Sequence, residues 1–489
     1  MGQSLTLRGI PHSIQRDAWW LTDNRDPGQG SDADKRSRDR RLRLRLMSLV
    51  LLIALADLLF WRQRLGLSLP VYACAIFVLS VWNIRPITRL IGPAVLLIVS
   101  ILPAVEHVQL LSVLFLCAGL TAAVVWATRD LSGLLPAWGA FLCDLPRQWA
   151  LVLVSPIRFF QNRFASGATA NPSWRTLLRN WAFPVGGGLI FAALLLDANP
   201  LLYRLFQFEL PDLERVIRRG MFWSGLAIAL WPLLSAEHSA PATAQPAKSR
   251  TAPNLGLNTG SVLRSLWLFN ALIGVQTVLD LSILIGGAEL PAGMTYAQYA
   301  HRGAYPLLLT ALLAGIFALL ARPFLAEHRA LKPLMLLWLA QNIALCASAL
   351  LRLDLYIDSF GLTYLRIYAL IWMCLVATGL GLTAWQVQMG HGNGWLIRRV
   401  AVLALGTLYL TCFINFAQII AEKNLSRHRD DNSYICSLGP MAFGAVVKAD
   451  RSYLIDDEWC RVKAPEIDGW RDWGFRKWRV RSYGLDAIE

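Results

Sequence analysis

The chain has 489 residues, 55% of them hydrophobic and 16% charged, with a formal net charge of +15 and a mean hydropathy of +0.44. Soluble domains carry about 25% charged residues, so this composition excludes an ordinary water-soluble enzyme. No recognition motif accompanies the basic excess, which argues against nucleic acid as a partner. About 20 apolar residues cross one bilayer, and the chain is long enough for many such crossings plus polar ends.

Residues 1–45 hold ten Lys and Arg, including Lys35, Arg36, Arg38, Arg40, Arg41, Arg43 and Arg45. They read as a basic, disordered cytoplasmic lead lying against anionic headgroups, too long and too polar ahead of its first apolar run for a cleaved signal peptide. Apolar runs then fall at 46–61, 67–83, 90–105, 108–127, 181–202, 216–234, 261–286, 304–321, 333–351, 359–384 and 400–420. The pattern predicts an all-α integral membrane protein, a polytopic helical bundle of about eleven transmembrane helices with a small extracytoplasmic C-terminal tail. Trp61, Trp82, Trp126, Trp181, Trp267 and Trp385 lie near the ends of runs, where an interfacial aromatic belt belongs.

Between the fourth and fifth runs, 131–164 is amphipathic and interrupted by Pro136, Pro146 and Pro156, which predicts a pair of interfacial helices. The stretch 235–260, rich in Ala, Pro, Ser and Thr, cannot bury a core and reads as a flexible cytoplasmic linker. It divides a first membrane half, 46–234, with about six helices from a second, 261–420, with about five. No convincing repeat relates the halves, which disfavours a transporter built from inverted repeats.

With the N-terminus in the cytoplasm, alternate connections carry 26 Lys and Arg inside against 8 outside, the tail left aside. Basic residues stay cytoplasmic, so the C-terminus is expected outside a bacterial cytoplasmic membrane. The tail, 421–489, has 12 basic and 12 acidic residues and the tryptophans Trp459, Trp470, Trp473 and Trp478. About 70 residues is thin for a free core. Cys436 and Cys460 are the only cysteines on that side in this topology. In an oxidising compartment they could staple the tail; otherwise they are reduced thiols against the aromatic cluster. No CxxC or Cys/His cluster suggests a metal or haem, and no cofactor is expected.

Charges inside spans are costly and tend to face a partner or a cavity. Asp57, Asp280 and Arg366 lie within runs, and this topology places all three in the outer leaflet. They share it with the loop residues Glu289, His301, Arg302, Arg352, Asp354 and Asp358. An Asp280–Arg366 pair would either glue two helices together or form a working polar site. Asn270, Gln276, Gln341, Asn342 and Asn415 add amides whose default role is helix–helix hydrogen bonding, though Gln341–Asn342 could also line a path.

The most distinctive stretch runs from Phe269 to Leu308. It contains Leu279-Asp280-Leu281, Gly286-Gly287 and Tyr296-Ala297-Gln298-Tyr299-Ala300-His301-Arg302-Gly303-Ala304-Tyr305. It resembles an uncharacterised bacterial membrane family, domain of unknown function 4173, with departures at Gln298 and at Ala304–Tyr305. The resemblance implies a multi-pass topology and no reaction. The glycines allow a sharp turn, and Tyr296, Tyr299 and Arg302 recur at three-residue spacing on one face of a short surface helix. That face could grip a carboxylate, a phosphate or a lipid headgroup, or simply anchor at headgroup level.

No GxSxG, HExxH, Walker A or kinase signature occurs. The leading expectation is transport or binding of a small anionic or lipid-like ligand. Asp57 and Asp280 would take a proton or cation, Arg302 and Arg366 would contact the anion, Tyr296 and Tyr299 would form walls, and His301 lies nearby. The rivals are an envelope-lipid or cell-wall enzyme with Asp280 as base, and a sensor or assembly partner whose tail binds another envelope protein.

Overall fold

The computed structural model describes residues 29–82, 87–128, 133–165, 213–236, 258–284, 296–427, 432–451 and 453–486, with a few positions between 181 and 195. Among them the regular elements are all helical: α1 Gln29–Phe60, α2 Ser68–Val81, α3 Ile91–Glu106, α4 Leu110–Thr128, α5 Leu134–Ala165, α6 Leu213–Leu234, α7 Thr259–Leu284, α8 Tyr296–Ala321, α9 Leu331–Phe360, α10 Tyr364–Met389, α11 Asn393–Thr411, α12 Phe416–Leu425, α13 Asn432–Ser437, α14 Phe443–Lys448, α15 Tyr453–Asp456 and α16 Phe475–Asp486. The chain separates into two compact units. One is Met1–Leu58, Ala75–Ile84 and Val124–Ala240; the other is Leu59–Cys74, Arg85–Ala123 and Pro241–Glu489.

Seven helices among the described residues are long and apolar enough to cross a membrane, which does not confirm a count of about eleven: Ile87–Glu106, Leu110–Thr128, Thr259–Asp280, Leu309–Ala326, Leu331–Phe360, Tyr364–Met389 and Asn393–Thr411. The physical reasons are specific. The 14 residues of α2 rise only about 21 Å, short of a hydrocarbon core of about 30 Å. The first turns of α6 carry Arg215, Arg218 and Arg219. The run 181–202 lies mostly outside the described residues, as does most of the linker 235–260.

Three expectations are corrected. The lead is not disordered throughout, because α1 begins at Gln29; its Arg, Lys, Leu and Asp residues include no Pro, and Arg, Leu and Lys are good helix formers. The segment 131–164 forms one helix, α5, and not a broken pair. Pro136 lies in its first turn, where a missing N–H costs nothing. The run 400–420 is split: α11 ends at Thr411 and α12 starts at Phe416, with Asn415 as N-cap accepting from Gln418 N.

In the second unit α9 is the hub, packing on α7, α8 and α10. Its core holds Leu266, Ala314, Met335 and Leu339. At its centre Phe269, Phe317 and Trp338 form a ring trio with centroids 5.1–5.8 Å apart. A second core gathers Ile435, Cys436, Val446, Leu454, Cys460, Val462 and Val480 of the tail with Ile420 of α12 and with Ile357, Leu362 and Ile367 at the α9–α10 turn. The turn itself is Gly361, with φ +81°, a conformation that favours glycine.

The folded tail meets helix ends far apart in sequence. Leu67 and Ser68 donate backbone N–H to the carbonyls of Trp473 and Arg471. Arg476 bonds Glu106 at the end of α3 and the carbonyl of Cys412 after α11. Asn424 brackets Leu362, accepting from its N–H at 2.7 Å and donating to its carbonyl at 3.0 Å. Residues 67–68, 106, 361–362 and 412 therefore lie on the tail side. At the other ends, Arg322 donates to Gly390 O and Lys332 to Gln388 O, which gathers the end of α8, the start of α9 and the end of α10.

A buried polar seam as the candidate functional site

On α9, Trp338, Gln341, Leu345, Ser348 and Arg352 follow one another at steps of three and four, as do Leu266, Asn270, Ile273, Thr277 and Asp280 on α7. Such spacing keeps residues on one helix face, and the two stripes meet. Asn270 Nδ2 reaches Leu334 O at 3.1 Å and Leu266 O at 2.8 Å. A Cβ on Gly274 would lie 3.5 Å from Gln341 Nε2. Further along, Asp280 receives Arg352 Nη2 on Oδ1, Gln276 Nε2 on Oδ1 at 2.8 Å and Ser348 Oγ on Oδ2 at 2.9 Å. Asp280 is 2% exposed and Arg352 4%. Two charges so far from water persist only when paired and hydrogen-bonded, and this carboxylate has a bond on each oxygen.

The rest of the seam is less well satisfied. Asn270 Oδ1, Trp338 Nε1, Gln341 Oε1 and Asn342 Oδ1 are buried with no hydrogen-bond partner among the described residues. In a helix pair that crosses a bilayer each such group costs several kcal/mol.

Arg366 is not the partner of Asp280. Lying in the first turn of α10, it donates to Phe360 O at 2.9 Å and to Gly361 O, and stacks 4.4 Å over the ring of Tyr356. A cation near a helix C-terminus meets carbonyls that have no intrahelical donor, so Arg366 caps α9. The partner is Arg352, which reads from hydropathy as the first loop residue after 333–351, yet α9 continues to Phe360. The three-and-four spacing from Gln341 through Ser348 to Arg352 was the available signal.

Asp57 lies in the first unit with its own partners. Arg219 clamps it with Nε to Oδ1 at 2.9 Å and with Nη2 to Oδ2, and Trp223 Nε1 adds a bond at 3.1 Å. Arg219 and Trp223 are one turn apart on α6, with the guanidinium 5.4 Å from the indole. Tyr296, Tyr299, His301 and Arg302 lie on the first two turns of α8, a continuous helix and not a short surface one; their side chains lie outside the described residues. Glycines 286 and 287 are outside them as well.

At the C-terminal end of α3 a second buried charge cluster holds the tail. Arg476, 4% exposed, donates from Nε to Glu106 Oε1 at 3.1 Å, and Arg479 lies 3.5 Å from the same oxygen. Burial first, and then the charges of Arg476 and Lys477, push the His107 imidazole down to about 4. Cys436 and Cys460 are joined by a disulfide. Among the described residues no group of three or more His, Cys, Asp or Glu could hold a metal ion.

A family profile described as a domain of unknown function (DUF4153) matches residues 91–449, and so covers the seam, the Arg366 cap and Cys436. It is this family, and not the domain of unknown function 4173, that the chain matches; the uncharacterised status is the same. No curated protein and no solved structure matches the chain.

Proposed function

Because the chain belongs to the DUF4153 family, whose description carries no activity, we propose from its own residues that it binds or passes a small anionic or lipid-like solute along the α7–α9 seam. Asp280 and Arg352 form the charged centre near the tail side. The observation that carries this reading is the line of buried, unpartnered polar atoms on Asn270, Trp338, Gln341 and Asn342. Polar groups in hydrocarbon are retained where they meet water or a ligand, and helix glue alone needs no unpaired carbonyls. Tyr296, Tyr299, His301 and Arg302, on the opening turns of α8, would contact the anion, and Arg366 is the cap that fixes the α9 end. Asp57 belongs to a separate clamp. The membrane is the bacterial cytoplasmic one with the N-terminus inside; the Lys and Arg bias and the tail disulfide support that orientation.

An envelope-lipid or cell-wall enzyme with Asp280 as general base fits less well, since its carboxylate already accepts from Arg352, Ser348 and Gln276. A tail that only recruits an envelope protein would not need a buried seam.

The test is water access. The free cysteines Cys74, Cys117, Cys143, Cys346, Cys374 and Cys412 are replaced by alanine, and Asn342→Cys is compared with Leu337→Cys, which points outward at 50% exposure. A small charged thiol reagent labels Asn342→Cys in intact membranes and spares Leu337→Cys. Protection of both means a dry seam and ends the proposal. In proteoliposomes challenged with small carboxylate and phosphate anions, the folded fraction of Asp280→Asn, in which Arg352 keeps an uncharged acceptor, loses flux.

A further inference from the structure

The first unit contains a cavity of about 880 Å³ lined by α1, the C-terminal turn of α2 and the last residues of α4 and α6, Thr128 and Leu234. Its volume falls in the range of roughly 300–1,000 Å³ that takes one small ligand. Its lining is divided along α1. Arg41 and Arg45, one turn apart, stand at one end, and Met47, Leu51 and Ala54, which share another face of the helix, line it further along, together with Trp82. From Arg45 to Ala54 the helix rises about 14 Å, close to the roughly 15 Å depth of one leaflet's hydrocarbon, half the core thickness. Met47 is 68% exposed and Trp82 77%, so the apolar wall opens sideways, as a site filled from the bilayer must. Tryptophan is at home at headgroup level, where the arginines also stand.

From this geometry we propose that the groove binds one anionic phospholipid. Arg41 and Arg45 hold its phosphate, and an acyl chain lies along Met47, Leu51 and Ala54 beside Trp82. Guanidinium pairs recognise phosphate by bidentate hydrogen bonds, and the charge complementarity selects an anionic over a zwitterionic lipid. The site is independent of the α7–α9 seam.

The experiment uses the full chain, purified in a neutral detergent and titrated with phosphatidylglycerol or phosphatidylcholine, with bound lipid counted by native mass spectrometry. The wild type retains phosphatidylglycerol with roughly tenfold preference or more, given two basic side chains at the headgroup. Arg41→Gln with Arg45→Gln abolishes the preference. The matched pair Arg40→Gln with Arg43→Gln, equal in charge loss but outside the groove lining, keeps it. Ala54→Trp, which fills the groove without altering charge, loses the bound lipid. Equal retention of both lipids, an equal loss in the Arg40/Arg43 pair, or an Ala54→Trp protein that binds as before each overturns the site and leaves only diffuse attraction to the membrane surface.

Discussion

Asp280 and Arg352 satisfy each other where neither reaches water, so removing either one exposes the other to the full cost of an unpaired buried charge. Asp280→Ala is expected to destabilise by roughly 3–5 kcal/mol, whereas Asp280→Leu with Arg352→Met, which removes both charges, recovers most of that loss. Thermal unfolding in detergent distinguishes the two; equal losses in the single and double variants would show that the pair is not coupled. Asp280 is visible in the sequence as a lone acid in an apolar run. Its partner is not, because hydropathy ends the span at 351 while the helix runs on to Phe360, and Arg366 looks deeper than it is.

His107 supplies a second test at the same scale. Its folded value of about 4 is below the unfolded value near 6.5, so between these limits the unfolded chain binds more protons and stability falls as pH drops. The slope is at most about 1.4 kcal/mol per pH unit. Above pH 6.5 the imidazole is neutral in both states and contributes no slope. Unfolding midpoints between pH 4 and 7 should flatten in His107→Gln, and an unchanged slope in that variant would assign the acid sensitivity elsewhere.

Among the elements, the spans were legible wherever an apolar run and a helix coincide, as in α4, α7 and α10. Legibility failed where side-chain bonding, and not hydropathy, sets the boundary. Asn415 ends the continuity of 400–420 by accepting from Gln418 N at 3.3 Å and donating to Met441 O at 2.9 Å. This turns the chain out of its spanning helix and into the tail core. Asn424 acts similarly on the α9–α10 turn. Asn424→Ala would leave the N–H and carbonyl of Leu362 without that side chain, at roughly 1–3 kcal/mol for each buried group left unpaired. The expected result is a tail cleaved faster by limited proteolysis while the membrane part persists; unchanged cleavage would mean that the turn is held by the apolar core alone. Gly66 makes the corresponding contact on the 62–68 loop, where a Cβ would collide with the backbone of Asp472, so Gly66→Ala should loosen the same tail.

At the scale of the molecule, the second unit arranges its helix ends on two sides, and the charges differ between them. The side of Arg322, Lys332 and Gly390 also carries Arg329 and, at the start of α11, Arg398 and Arg399, whereas the α9–α10 turn on the tail side carries Arg352, buried in its ion pair, and Arg366, bonded to the last carbonyls of α9. Basic residues accumulate in the cytoplasm, so the tail side is expected to be extracytoplasmic. A disulfide persists on that side of a bacterial membrane and not on the other. Closing a loop across a sequence separation of 24 constrains the unfolded tail by about 3 kcal/mol. Cys436→Ser should therefore lower tail stability by that order, and a reductant should mimic the mutation in the wild type and have no effect in Cys436→Ser. A phosphatase fused after residue 488 should be active and a fluorescent protein at the same place dark. The reverse pattern, with no effect of reductant, would put the tail and the Asp280 end of the seam in the cytoplasm. Any solute would then reach Asp280 first from the cell interior, and Arg322, Arg329 and Lys332 would guard the outer mouth.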